Sequence, residues 1–327
     1  MHLRRTAGRA SPGGAGVRVP RSLGRPPLPG AAEFATTASA NPRSPVSVSF
    51  LGVSTLLFDD GESAILTDGF FSRPSLPKTL LLPLRSDGPR IDSALGRAGI
   101  GTLDAVVCAH SHFDHALDSA AVALRTGAAL VGGSSTAQIG RGAQMPEGRI
   151  TVVADGSAVE LGHFTVTFVE SVHSYPDRAH GTIDRPLRQP ARVRAFRCGE
   201  AWSMAVEHRP SGRRALVHSS AGFRAGMLDG LSAEVVYLSI GQLGHRTREY
   251  IDEYWRETVL SVGARRVVLT HWDDFFRPLD RPLRPLPYAF DDMRTSLDVL
   301  TAGARRDGVE LQLPTLWRRA DPWADMV

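Results

Sequence analysis

Apolar and polar residues alternate with a period of two where the chain first becomes patterned. Residues 46–51 (Val-Ser-Val-Ser-Phe-Leu), 54–58 and 63–68 read as three strands, separated by Gly52 and by the turn Asp59-Asp60-Gly61-Glu62. Strands this close in sequence form an antiparallel meander. An aromatic, Pro-rich stretch over 70–89 reads as a loop, followed by a short helix over 91–98. The apolar run 103–109 is short, β-branched and bounded by polar residues, which marks a buried strand. Beyond it come a helix over 116–125 stopped by Gly127, a strand over 128–131 and a short helix over 135–139. Strand, loop, helix and strand in that order make an α/β crossover. Three more strands follow at 150–153, 158–161 and 164–169.

After a loop over 174–192 the layout recurs coarsely. Strands are expected at 193–196, 201–207, 214–218 and 234–240, with an amphipathic helix over 247–262 ended at Gly263. A strand over 266–271, a helix over 290–304 and a strand over 309–313 complete the pattern. No short-period repeat is present.

Composition narrows the class. The 327 residues are 42% hydrophobic and 22% charged, ordinary for a globular protein with a large core. Two cysteines, Cys108 and Cys198, form no disulfide framework, which permits a reducing compartment and leads us to expect a cytoplasmic protein. The basic balance is local. Residues 1–45 carry seven Arg against one acid, Glu33, so the overall charge of +4 leaves about −2 for the remainder and no general bias toward nucleic acid. This segment is rich in Gly, Pro, Ala and Arg, lacks apolar periodicity, and is expected to be a disordered extension. Arg4-Arg5 and Ala38-Ser39-Ala40 have elements of an export signal, but no apolar h-region lies between them; a transit peptide or an over-long gene start also fits. No apolar run has transmembrane length. The expected organisation is an extension over 1–45 and one domain over 46–327.

Candidate chemistry is concentrated after the strand at 103–109. Within six residues, His110-Ser111-His112-Phe113-Asp114-His115 supplies three imidazoles and a carboxylate, ordinary ligands for zinc, iron or manganese. Cys108 falls inside the apolar run and reads as a small buried hydrophobe.

This hexapeptide resembles the His-x-His-x-Asp-His signature of the metallo-β-lactamase superfamily. The resemblance implies a four-layer αββα sandwich with a metal site at one edge, between the halves. It implies His110, His112 and His173 around a first metal and Asp114, His115 and His271 around a second, with Asp114 also acting on the attacking water. His173 stands just beyond the strand at 164–169, and His271 ends the strand at 266–271. The step His271-Trp272-Asp273-Asp274-Phe275 is similar to the branch that contains N-acylphosphatidylethanolamine phospholipase D and ascorbate-6-phosphate lactonase. Asp68, at a strand end, matches a carboxylate that orients a ligand His, and is equally well explained as a turn former.

The resemblance fails at Ser219-Ser220-Ala221-Gly222. The family's Gly-Asp-Ser/Thr-Gly places a bridging Asp where this chain has Ser220. His218 and His245 are weak additional candidates for ligation and substrate contact. Arg178, Arg185, Arg188 and Arg192 in the 174–192 loop suit an anionic group or plain solvation. The expected function is metal-dependent hydrolysis of an ester, lactone or phosphodiester in a small-molecule or lipid-like substrate. One or two zinc ions are the default, with manganese or iron as alternatives. The rival, motivated by Ser220, is a non-catalytic or ligand-sensing protein of the same fold; RNA binding by the basic tail is a further alternative.

Overall fold

Alternation of apolar residues buried on both faces builds the first sheet. In the computed structural model, which describes residues 24–30 and 34–326, the chain opens with β1 (Ala35–Thr36), β2 (Ser47–Phe50), β3 (Leu56–Asp59) and β4 (Ala64–Thr67). Helices α1 (Leu76–Leu81) and α2 (Gly88–Ala98) lead to β5 (Ala105–Val107). Next come α3 (Phe113–Ala116), α4 (Ser119–Thr126), β6 (Ala129–Gly132), α5 (Ser134–Gly142) and β7 (Ile150–Val152). The second half comprises β8 (Ala158–Leu161), β9 (Phe164–Ser171), β10 (Ala201–His208), β11 (Arg213–His218) and β12 (Val235–Ser239). It closes with α6 (Arg248–Trp255), β13 (Arg266–Thr270), α7 (Met293–Asp307), β14 (Glu310–Leu313) and β15 (Arg319–Ala320).

Two sheets result. One runs β15-β2-β3-β4-β5-β6-β7 and the other β1-β14-β13-β12-β11-β10-β9-β8. Leu56, Phe58, Ile65 and Val107 point into the layer between the sheets, where they meet Phe164, Met204, Val217 and Tyr237. Leu57, Leu66, Val106 and Leu130 point the other way, onto Ile91, Leu117 and Ile139 of the helical side. Ile251, Tyr254, Trp255 and Leu300 of α6 and α7 cover the far face of the second sheet. The architecture is the expected α/β sandwich with helices outside two central sheets.

The meander β2-β3-β4 is antiparallel, whereas β4 through β7 and β11 through β14 pair in parallel. The carboxyl ends of β4, β5, β9, β11, β12 and β13 therefore share one edge of the sandwich, the usual position of a ligand site in such sheets.

Several details differ from the sequence pattern. The stretch 193–196, expected as a strand, is a single helical turn at Val193–Ala195. Its neighbour Ala191 pairs in both directions with Leu84, and Phe196 N donates to Val193 O, so the chain curls and buries Phe196. The Pro-rich loop contains α1, with a proline in its first turn. The helix expected over 247–262 is capped by Thr247 and passes into a five-residue π-helical turn at Arg256–Leu260. Within the N-terminal segment expected to be disordered, Ala35–Thr36 pairs with β14, and Asp321 N donates to Ala38 O. Arg4-Arg5 lies outside the described residues. Among the described residues no helix is long and apolar enough to cross a membrane.

Candidate metal centre

The strand β5 ends at Val107, and the next eight residues bring four polar side chains to the sheet edge. His110 lies in the segment leaving β5, and His112 has extended backbone at the start of the helical turn α3, which carries Asp114 and His115. His173 follows the end of β9, and His271 follows β13 with φ 58, a left-handed conformation that turns its ring back toward α3. Gly241, after β12, allows this approach: a Cβ there would lie 2.7 Å from His271 Nδ1.

The six residues singled out in the sequence form two groups of three. His110, His112 and His173 make one, and Asp114, His115 and His271 the other, with the donor atoms of each group mutually within 4.8 Å. His112 Nδ1 lies 3.1 Å from His173 Nε2. In the second group His115 Nε2 is 3.2 Å from His271 Nε2. Asp114 Oδ2 stands 3.4 Å from the same His271 nitrogen and 3.9 Å from His115 Nε2. Ligand atoms about 2.1 Å from a tetrahedral zinc are spaced in this range.

The outward-facing nitrogens set which nitrogen points in. Asp68 Oδ2 accepts from His115 Nδ1 at 2.7 Å, and its Oδ1 accepts the Ala109 amide at 2.9 Å. His173 Nδ1 donates to Ser174 O at 2.8 Å. His112 Nε2 faces Asp177 Oδ1 at 3.2 Å. Each arrangement leaves the opposite nitrogen to present a lone pair at the centre. His110 Nε2 is buried with no hydrogen-bond partner, an orphaned atom that a cation would satisfy.

Electrostatics support the same state. Burial, followed by the adjacent His115, His173 and His112, pushes His110 well below its usual 6.5. Burial and His112 bring His173 down to about 3. Both rings are neutral at pH 7, as ligands must be. Burial alone would raise Asp114, but His115 and His271 hold it well below the usual carboxylate range. Burial likewise opposes ionisation of Asp177, and His112 and the Ala179 amide overcome it.

Ser220 lines the same cavity and is engaged by the loop after β9. Its Oγ accepts the Ser174 amide at 2.8 Å, so it anchors the loop that carries His173. Gly222 allows the approach, since a Cβ there would meet Val172 O at 2.2 Å. His218, the candidate that sequence left open for ligation, is engaged elsewhere: Nδ1 contacts Ser203 Oγ at 2.7 Å and Nε2 donates to Gly222 O at 2.9 Å. Burial lowers it to about 4, with the Gly222 bond opposing. It titrates near 6.5 when unfolded, so the unfolded chain takes up protons first. Stability from this group is complete above about pH 6.5 and lost as pH falls toward 4. Urea denaturation of the metal-free protein should show a smaller drop from pH 7 to pH 4.5 in His218→Gln than in the wild type.

Sequence reasoning missed Asp177, whose only signal was its place four residues after His173. Asp68→Asn and Asp177→Asn are each expected to weaken zinc binding by about 10–100-fold, measured by competition with a chromogenic chelator. Cys108 and Cys198 are both buried; burial pushes the Cys198 thiol up to about 12.

The two groups open onto a cavity of about 390 Å³. Phe113, Phe196, Phe275, Phe276 and Phe290 give it an aromatic wall, with Arg178, Arg194 and His245 among the polar residues around it. His245 Nε2 is held by Tyr288 O at 3.2 Å. Arg192 instead donates to Leu81 O, and Arg185 lines a separate cavity.

Residues 48–186 match the family model described as Metallo-beta-lactamase superfamily. Igni18, a novel metallo hydrolase from the hyperthermophilic archaeon Ignicoccus hospitalis KIN4/I, is 16% identical in structure-based alignment. The match covers 84% of this chain and 96% of that one, with a TM-score of 0.50. CmlA, a diiron β-hydroxylase from Streptomyces venezuelae, is 12% identical over 86% of this chain and 54% of its own, with a TM-score of 0.50. No curated protein matches in sequence. Two sheets between helices, with His/Asp groups at the strand ends, define the fold class, and the first half of the chain is similar to the metallo-β-lactamase superfamily.

Proposed function

We propose that the protein is a metal-dependent hydrolase, with His110, His112 and His173 holding one metal and Asp114, His115 and His271 a second. The observation that carries this reading is the pair of three-residue groups, oriented inward and opening onto one cavity. Nitrogen and oxygen donors without thiolate suit zinc, with manganese or iron as alternatives. Such metals, when bound, lower the pKa of a water toward neutrality and polarise the scissile carbonyl or phosphoryl group. The ionised Asp114 would orient that water and accept its proton. Ser220 keeps His173 in place, and the Asp177 carboxylate beside His112 supplies negative charge near the first group.

The aromatic wall fits a substrate that carries an apolar group next to an ester, lactone or phosphodiester. The His271-Trp272 resemblance to the phospholipase D and lactonase branch supports the same classes. The paired groups favour a hydrolase over a non-catalytic relative. The test is metal content of protein purified without chelator, followed by ester, lactone and phosphodiester panels before and after metal removal. Hydrolysis of one class, lost on chelation and restored by zinc, manganese or iron(II), is the expected result. A metal-loaded protein that turns over none of them would overturn the reading.

A further inference from the structure

At the opposite end of the sandwich, three side chains converge that the proposed hydrolase does not use. Asp60 lies in the turn between β3 and β4, His163 in the turn between β8 and β9, and His208 is the last residue of β10. Asp68 stands beyond the other end of β4, whose four residues alone span roughly 13 Å. This cluster is therefore separate from the candidate catalytic groups.

Its geometry is built from both sheets. Asp60 Oδ1 accepts the Glu62 and Ser63 amides at 2.8 and 2.7 Å, which turns Oδ2 toward the two imidazoles. Oδ2 lies 2.6 Å from His163 Nδ1 and 3.0 Å from His208 Nε2. The His163 amide donates to Ser63 Oγ at 2.9 Å. His208 Nδ1 stands 2.7 Å from Ser211 Oγ, and its ring packs 5.2 Å from that of Phe164. The Asp60 and His208 side chains are 7% and 4% exposed, whereas His163 is 40% exposed and leaves one side open to water.

We propose that Asp60, His163 and His208 form a second transition-metal site, of the His₂-carboxylate type, that staples the two sheets together. The three donor atoms lie mutually within 4.8 Å. Ligand atoms around a tetrahedral zinc are separated by roughly 3.3 Å, so on occupation the two imidazole nitrogens draw back from the Asp60 oxygen by an amount on the order of half an ångström. Two imidazoles and one carboxylate select zinc, copper(II) or nickel over magnesium or calcium, and the open side provides the entry path and room for a water ligand. Ser211 Oγ, accepting the Nδ1 proton of His208, leaves the Nε2 lone pair for the metal. Without a metal the same atoms make a hydrogen-bonded clasp on one carboxylate. The two arrangements differ in what they bind.

The experiment is zinc titration of the metal-stripped full chain, with bound equivalents read by native mass spectrometry. His163→Gln, at an exposed turn, and Asp60→Asn are each expected to bind one equivalent fewer than the wild type. In a His110→Ala/His115→Ala background, one equivalent should remain and disappear on adding His163→Gln. That arm keeps this site distinguishable from the catalytic groups. His208→Gln is a buried change that risks misfolding, so His163→Gln decides. Equal zinc in His163→Gln and the wild type, in both backgrounds, would overturn the site and leave only the clasp.

Discussion

Asp114→Ala is expected to lower kcat/KM for the hydrolysed substrate by about 10³-fold or more, and to remove one bound metal equivalent. The carboxylate is ionised, touches the His115 and His271 nitrogens, and lines the cavity. A positioned acid or base alone contributes about 10²–10⁴ in rate, and this residue is also a proposed ligand. Asp114→Asn separates the roles. It keeps a neutral oxygen donor but removes the base, so it should retain more metal than alanine while losing comparable turnover. Steady-state kinetics and metal analysis of both variants check this. Wild-type kcat/KM in either variant would remove Asp114 from the chemistry.

The largest effect on stability is expected away from the ligands. Arg73 and Asp273 form an ion pair at 2.7 Å with both side chains 0% exposed. Removing one partner of a fully buried pair strands the other charge and costs about 3–5 kcal/mol. Asp273→Ala should therefore lower the urea midpoint substantially, and Arg73→Met/Asp273→Leu should recover much of the loss. The pair also bears on the metal centre. Asp273 Oδ1 accepts the Val53 amide at 2.8 Å, and Val53 O accepts the His271 amide at 2.8 Å. Asp273→Ala should consequently reduce zinc retained by the second group even where the chain remains folded. Gly52 belongs to the same arrangement, because a Cβ there would lie 2.1 Å from Arg73 Nη2.

What was legible in the sequence follows from how local each feature is. Period-two burial placed the meander, and the compact His-x-His-x-Asp-His run named four side chains that the fold brings together with His173 and His271. Asp68 was visible as a strand-end carboxylate, and its oxygens contact His115 and the Ala109 amide 41 residues away rather than amides of its own turn. The stretch 193–196 looked like a strand because Val193 and Phe196 are apolar, but no strand edge lies beside it; Ala191 pairs with Leu84 instead. Asp177, the Arg73–Asp273 pair and the role of Ser220 were illegible for a common reason. Each depends on a partner 46 or more residues away, or on a loop whose path has no periodicity.

The exchange of terminal strands determines when this protein becomes complete during synthesis. β15 belongs to the sheet made by the first half, and β1 to the sheet made by the second. While the ribosome is still translating, β2 presents an unpaired edge that is closed only when Arg319–Ala320 emerges. His115 likewise waits for a partner 156 residues downstream. The nascent chain thus carries an open sheet edge, and an Asp114–His115 pair still without His271, until its later strands emerge.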